Sequence, residues 1–175
     1  MFWKKKKPKF QFRCSQCGEL HDTWPAITYG APWHYSQLSE QEKLDITSLD
    51  EDFCEIHWKD QVDRFIRVTM QVPVIGFELD LEYGLWVSLS EKSYNDYSDN
   101  FENINHEVNY FGWVYNKLLG YDNTLSVPSD VFTQKGNSRP IIKPHLNFEH
   151  PLISDLINGI SREEAESRIH ELMKQ

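Results

Sequence analysis

The chain has 175 residues, of which 39% are hydrophobic and 14% aromatic, with 27 acidic and 18 basic side chains. This much apolar material excludes a disordered chain, and the length is that of one domain with its own core. No apolar run of about 18 residues occurs, which excludes a membrane span.

The charge is unevenly distributed along the chain. Residues 1–13 carry five lysines and one arginine without an acid, so they hold +6 and the remainder holds −15. We therefore predict a flexible basic tail over residues 1–9 and a single acidic domain over 10–175. The basic start is not followed by an apolar stretch, which excludes a secretory signal and indicates a cytoplasmic protein. An acidic domain repels phosphate, so nucleic acid is disfavoured as a partner except through the lysine-rich tail.

The first predicted elements are a short strand over 10–13, a tight knuckle from Cys14 to Gly18, and an irregular segment over 22–40. Ser39 followed by Glu42 is the capping-box pattern, which predicts a helix near 40–49.

Apolar and polar residues then alternate, which is typical of half-buried strands. The alternation predicts strands over about 53–58, 65–74 and 77–89. Because the connections between them are hairpin-sized, the strands are expected to form an antiparallel β-meander.

The remaining elements are a helix over 91–103, strands over 110–114, 125–132 and 140–146, and a C-terminal helix over 162–173. Large aromatic residues in alternating strands usually pack inside, so Trp86, Phe111 and Trp113 are expected in the core. The predicted fold class is α+β: a single domain with an N-terminal zinc knuckle, an antiparallel β-meander sheet, flanking helices and the C-terminal helix.

The cysteines suggest a metal site. Cys14 and Cys17 lie three residues apart beside Gly18, a spacing that lets two thiolates bind one cation. Structural zinc is almost always tetrahedral, and His21 and Cys54 are the donors that complete the set. Four protein ligands leave no open position for water, so the predicted zinc, one per chain, is structural.

Three alternatives to this assignment stay open. His57 is a rival ligand for His21 or Cys54, although positions 54 and 57 of a strand point to opposite faces. The CxxC pair can instead be a redox pair, but Gly18 and the segment after it lack the helix that such sites need. The three thiols can also simply be buried and reduced.

Other functional residues are fewer. The chain has no GxSxG, P-loop, GxGxxG or HExxH pattern, so an enzyme is the less favoured class. Arg139 follows a turn, where its guanidinium can clamp a carboxylate of the acidic domain. Arg67, Arg139 and His150 are the candidate anion-binding residues, and an enzyme acting on a small anionic substrate in a cleft formed by them is the alternative function.

Several short motifs follow one another over about residues 10–173. They are Phe12-x-Cys14-x-x-Cys17-Gly18-x-x-His21, Asp52-x-Cys54-x-Ile56, Phe65-Ile66-Arg67, Val72-Pro73-Val74, Gly84-x-Trp86-Val87-Ser88-Leu89-Ser90, Phe111-Gly112-Trp113, Arg139-Pro140, His150-Pro151-Leu152 and Gly159-Ile160-Ser161. With these motifs the chain resembles the bacterial domain of unknown function 2199 family. That family has no established activity; the resemblance implies a single domain and the same four metal ligands.

The leading functional hypothesis is a cytoplasmic, zinc-stabilised binding protein without enzymatic activity. Its partner is expected to be another protein with a basic surface, because complementary charge speeds association. One version is an acidic immunity or inhibitor protein that masks such a partner.

Overall fold

The computed structural model describes residues 11–13, 18–136, 138–172 and 174. The strands in this part of the chain are β1 (Phe12–Arg13), β2 (Leu20–His21), β3 (Ile27–Thr28), β4 (Thr47–Leu49), β5 (Phe53–His57), β6 (Val62–Val72), β7 (Leu81–Leu89), β8 (Asn109–Val114), β9 (Pro128–Phe132) and β10 (Ile141–Pro144). The helices are α1 (Trp33–Gln37), α2 (Glu40–Ile46), α3 (Glu91–Asp99), α4 (Pro151–Asn158) and α5 (Arg162–Leu172). None of these helices has the length and apolar character of a bilayer-spanning segment.

The strands from β6 to β10 form a closed, barrel-like ring. Each pairs antiparallel with the next in sequence, and β10 returns to β6 as a parallel neighbour with Ile141 opposite Thr69. Five consecutive antiparallel strands leave the first and last running in the same direction, so the closing pair must be parallel. We call this β10–β6 pair the seam.

Three further strands extend the ring. β5 pairs antiparallel with β6, β4 pairs antiparallel with β5, and β3 lies parallel to β7. β1 and β2 form a separate two-stranded sheet in which Phe12 lies opposite His21.

The main core fills the ring, and strand alternation selects its members. On β6 the inward residues are Ile66, Val68, Met70 and Val72, and all four are buried. The helices α3, α4 and α5 contribute the buried residues Tyr94, Tyr97, Leu152, Ala165 and Ile169 to the same core. The ring is therefore a packed interior rather than a channel.

A second, smaller core lies on the outer surface of β5, β6 and β7. It consists of the buried residues Cys54, Ile56, Phe65 and Trp86. Partly buried side chains cover it, mostly from the segment between β3 and β4 and its flanks: Tyr29, Tyr35, Leu38, Ile46, Leu49, Trp58 and Tyr115. The N-terminal third of the described chain thus closes this part of the sheet.

The helix α5 is fixed by a buried arginine. Arg168 is 5% exposed and donates to Glu164 at 2.8 Å, to Asp155 at 3.1 Å and to the hydroxyl of Tyr83 at 3.2 Å. Its guanidinium also lies 4.3 Å from the ring centre of Tyr121, a cation–π distance. The carboxylates of Glu164 and Asp155 and the face of the Tyr121 ring therefore compensate the buried positive charge of Arg168.

The predicted α+β class and most elements agree with the structure. The capping box of Ser39 and Glu42 begins α2, and the Ser161 hydroxyl accepts from the Glu164 amide at the start of α5. The strand predicted from 77 begins at Leu81, because the turn at 75–76 is followed by an irregular segment over 77–80 with a bend at 78–79. The helix predicted near 40–49 was wrong in its last turn: α2 ends at Ile46, and 47–49 form β4. The structure also has β2, β3, α1 and α4, which the sequence did not predict. The tail over 1–9 lies outside the described residues.

The expectation that three aromatic residues lie in the core was correct for Trp86 and wrong for two others. Trp86 is fully buried, whereas Phe111 is 46% and Trp113 42% exposed. The alternation of β8 explains the difference, because Tyr110, Gly112 and Val114 are the inward positions. Phe111 and Trp113 therefore point away from the ring.

Candidate functional site

Of the predicted zinc set, the structure describes the side chain of Cys54 and only the backbone of His21. Cys14 and Cys17 are outside the described residues, and His21 belongs to β2, whose backbone pairs with β1. The segment that carries the two cysteines thus connects two paired strands. Among the described residues, no three His, Cys, Asp or Glu side chains come together as a metal site.

Cys54 is described, and it is a core residue. Its side chain is fully buried beside Ile56, Phe65 and Trp86. Burial raises the pKa of the Cys54 thiol to about 12, with a smaller contribution from nearby carboxylates. Zinc binds the thiolate, and this apolar setting disfavours the thiolate form of Cys54. His57 is exposed on the same strand, with its ring 3.3 Å from Glu55.

β5 and β10 pair with successive parts of the same edge of β6, and a cleft lies between them. The amide of Arg67 donates to the carbonyl of Asp52, just before β5, and the amide of Thr69 donates to the carbonyl of Pro140, just before β10. The two incoming chains diverge there. A cavity of about 290 Å³ opens at this point, between the end of α3 and the loop after β9.

An arginine–aspartate pair spans the cleft. Arg139 Nε donates to Asp52 Oδ1 at 2.7 Å, so this guanidinium contacts a carboxylate of the acidic domain through one hydrogen bond. Arg67 lies close to both: burial and the charge of Arg139 lower its pKa, and Asp52 partly offsets this. The buried Nε of Arg67 has no hydrogen-bond partner among the described residues. Asp52 therefore lies near both guanidinium groups, Glu51 also lies near Arg67, and the Nε donor of Arg67 remains unsatisfied.

The walls of the cleft are aromatic and amide side chains. They are Tyr97, Asn100, Phe101, Asn103, His106 and Gln134. Burial, followed by the charge of Asp52, raises the pKa of Tyr97 to about 12, so its phenol stays neutral.

His106 is held on the wall by a small network. Its Nε2 lies 3.1 Å from Asp96 Oδ2 and 2.9 Å from the Tyr110 hydroxyl, which itself donates to Asp96 at 2.6 Å. The hydrogen bond from Tyr110 lowers the pKa of Asp96. No motif in the sequence marks these residues as functional; Tyr97 lies within the helix predicted over 91–103.

The structure separates His150 from the other two candidate anion-binding residues. His150 begins α4, where its Nδ1 accepts from the Leu152 amide and its Nε2 lies 2.6 Å from the carbonyl oxygen of Asp122. It does not line the cleft. Arg67 and Arg139 are brought together, and His150 has a structural position at the start of a helix.

Much of the net negative charge falls in two segments of the chain that are in contact with each other. We call residues 39–63 and 90–107 together the acidic face. Residues 39–63 carry a net −7 and 90–107 carry −4. Arg64 connects the two segments, with Nε 3.3 Å from Glu55 and Nη2 2.9 Å from Glu91. The rings of Phe53 and Tyr94 also pack at 5.7 Å, so both segments belong to one surface.

These features define an α+β domain with a barrel-like sheet, an acidic face and a small arginine-containing cleft. The chain belongs to the family of uncharacterised proteins conserved in bacteria, domain of unknown function 2199, whose model matches residues 13–160. The resemblance derived from the sequence motifs is thereby confirmed. No curated protein and no solved structure matches the chain.

Proposed function

We propose that this chain is a cytoplasmic binding protein whose acidic face takes a protein partner with a basic surface. The observation that supports it is the charge distribution: the two segments of the acidic face carry more negative charge than the whole chain's −9. Charge of one sign concentrated on one surface raises the association rate with an oppositely charged partner and discriminates against others. An inhibitor or immunity role that masks a basic partner is one form of this function.

The acidic face has carboxylates that pair within the chain, such as Glu40 with Lys43 and Glu107 with Lys135, and others that face the solvent. Glu51, Asp60 and Asp99 are all exposed, and Arg64 is the basic side chain that bridges the two segments. The electric field of exposed carboxylates extends into the solvent over about one Debye length, which is about 10 Å at 0.1 M salt. A basic partner is attracted over that distance before contact.

Charge reversal tests the proposal. We compare Glu51→Lys/Asp99→Lys with the control Glu149→Lys/Glu171→Lys, which makes the same charge change outside the acidic face. Binding of a fluorescent oligolysine peptide and capture of partners from a bacterial lysate are measured at low and high salt. The first variant is expected to weaken peptide binding at least about tenfold at low salt and to lose the captured partners, while the control loses less than about half its affinity. Equal losses in both, or captured partners without basic patches, contradict the proposal.

A second candidate function is binding, and turnover, of a small anionic substrate in the cleft. The specific observation in its favour is the buried, unpartnered Nε of Arg67 beside Arg139. An unsatisfied buried donor costs about 1–3 kcal/mol, and an anion between the two guanidinium groups removes that cost. Because neither His150 nor Arg67 lines the cavity, the side chains available for chemistry there are Arg139, Asp52 and His106, with Arg67 beside Arg139.

A hydrolase panel with the purified chain tests the second candidate. Arg139→Ala is expected to abolish any turnover while leaving the far-ultraviolet spectrum unchanged, and His150→Asn to retain it because His150 does not line the cleft. Absence of turnover and of phosphate binding in the unmodified chain removes this candidate and leaves the acidic-face proposal intact.

Zinc is proposed as a structural ion held by Cys14, Cys17, His21 and Cys54. Support comes from the CxxC spacing and from the pairing of β1 with β2, which brings the two ends of the cysteine segment together. Zinc there stabilises a small two-stranded sheet that otherwise has little core of its own.

A further inference from the structure

The outer surface of β8, β9 and β10 carries exposed rings. We call the outward residues Phe111, Trp113, Phe132, Lys143 and His145 the aromatic face. The registers of the three strands place Phe111, Asp130 and Lys143 in one row, and Trp113 and Pro128 in the next. The amide of His145 donates to the carbonyl of Pro128, which extends this second row to His145.

The two exposed rings of β8 form a corner. Phe111 and Trp113 are two positions apart on one strand and meet nearly at right angles, with ring centres 4.9 Å apart. His145 lies 5.7 Å from the Phe111 ring on the other side. A flat ligand that stacks on one ring therefore rests its edge against the other. Large exposed aromatic groups placed side by side are uncommon on a surface without a ligand.

The local sequence has the pattern of a strand that stacks nucleic-acid bases. Phe111-Gly112-Trp113-Val114 is aromatic, Gly, aromatic, Val, which is the centre of the RNP1 pattern of RNA-binding sheets. In those sheets the two aromatic side chains point outward from a central antiparallel strand, as Phe111 and Trp113 do on β8. The match is confined to these four positions, since Asn109 and Tyr110 replace the basic residue and glycine that precede them.

Gly112 is required by packing in the same strand. A Cβ at this inward position would lie 3.0 Å from the Ser88 carbonyl and 3.2 Å from side-chain atoms of Leu89 and Val131. The glycine lets β8 approach its neighbours closely while both aromatic side chains remain outside.

The charge around the aromatic face differs from that of the rest of the domain. On β8, β9 and β10 the single lysine, Lys143, is balanced by the single carboxylate, Asp130, whereas the two segments of the acidic face carry −7 and −4. Each exposed ring shares its row with a basic side chain two strands away, about 10 Å across the sheet at the usual strand spacing. A base stacked on the ring places its phosphate within reach of that side chain.

One carboxylate lies within the face. Asp130 sits between Phe111 and Lys143, and its Oδ1 is 3.3 Å from His145 Nε2. It repels phosphate at its own position, but a carboxylate there accepts hydrogen bonds from base amino groups. A groove of about 770 Å³, lined by a second carboxylate at Asp80, continues from Phe132 and Lys143 along β10 towards Leu146. The face thus has length for more than one nucleotide.

We propose that the aromatic face binds single-stranded nucleic acid, with bases stacked on Trp113 and Phe111 and phosphates beside Lys143 and His145. This site is independent of the acidic-face proposal. It places nucleic-acid binding on the folded domain rather than on the lysine-rich tail.

Fluorescence anisotropy with labelled 12-nucleotide RNA and DNA single strands tests the proposal, using the full chain at 50 mM and 200 mM salt. Trp113→Ala and Phe111→Ala are each expected to weaken binding about tenfold, the usual loss for one stacked base. Lys143→Gln is expected to lower the slope of log affinity against log salt by about 0.7. Leu44→Ala, which removes another exposed apolar side chain far along the chain, is the matched control and should leave affinity unchanged.

A second comparison separates the aromatic face from the tail. Replacing the five tail lysines by glutamine should lower affinity in the otherwise unmodified chain without abolishing the effect of Trp113→Ala. No binding at 50 mM salt, or binding that is lost with the tail lysines and indifferent to both ring variants, overturns the proposal. So does binding of a neutral oligosaccharide, but of neither nucleic acid, that both ring variants abolish.

Discussion

Replacing Arg168 by alanine is expected to destabilise the fold far more than replacing the exposed Arg162 on the same helix. Arg168 is 5% exposed and bonds Glu164, Asp155 and Tyr83. Removing one partner of a buried ion pair costs about 3–5 kcal/mol, because the other charge is left without compensation.

The structure places the expected value near the lower end of that range. The side chains of Asp155 and Glu164 are 28% and 48% exposed, so water replaces part of what each loses. The Tyr83 hydroxyl is buried, although it also donates to the Leu119 carbonyl. We expect a loss of about 3 kcal/mol in the free energy of unfolding, equivalent to about 6–12 °C in Tm for a domain of this size.

Urea denaturation followed by tryptophan fluorescence measures the effect. Arg162→Ala is the control: its pair with Glu166 is short, 2.6 Å, but Arg162 is 46% exposed, so the expected cost is about 0–1 kcal/mol. Arg168→Met keeps the aliphatic stem and separates packing from charge. A loss below about 1 kcal/mol for Arg168→Ala, or an equal loss for Arg162→Ala, refutes the reasoning.

Three other predictions concern single residues. Gly112→Ala should cost about 1–3 kcal/mol by overpacking, whereas Gly30→Ala, with open space around its Cβ, should be close to neutral in the same urea titration. Cys14→Ser should remove about one zinc per chain in elemental analysis, and the result for Cys54→Ala decides whether the buried thiol is a ligand. The raised pKa of Tyr97 gives stability that is present below pH 10 and lost as pH rises towards 12; Tyr97→Phe should flatten that decline in stability.

The elements that were predicted correctly are those with a signal in their own local sequence. Ser39 with Glu42 predicted α2, the alternating apolar residues predicted β6, and the turn before Arg139 predicted a contact with a carboxylate. Each signal lies within a few residues in the chain. The helix α4 was missed because its first-turn amide is capped by a histidine ring, at His150, rather than by a side chain of the usual capping set.

The features that depend on distant residues were not predictable. The seam pairs Ile141 with Thr69, and no sequence pattern near either residue indicates this pairing. The cleft combines Asp52 with Tyr97 and His106 only because β5 and β10 share an edge of β6 and α3 packs beside them. Trp113 points outward because the alternate residues of β8 face the core, and the apolar character of the segment does not reveal which set of residues that is.

The seam gives the barrel a preferred place to open. Among the described residues, β10 meets β6 at one register pair, whereas β6 and β7 pair along nearly their whole length. Local unfolding begins where the fewest backbone bonds must break, so β10 should exchange its amide hydrogens before β7 does. The pair of Arg139 and Asp52 joins the two chains on either side of that opening. A molecule that binds in the cleft therefore also slows exchange in β10, and the exchange rate of Ile142 becomes a measure of its occupancy.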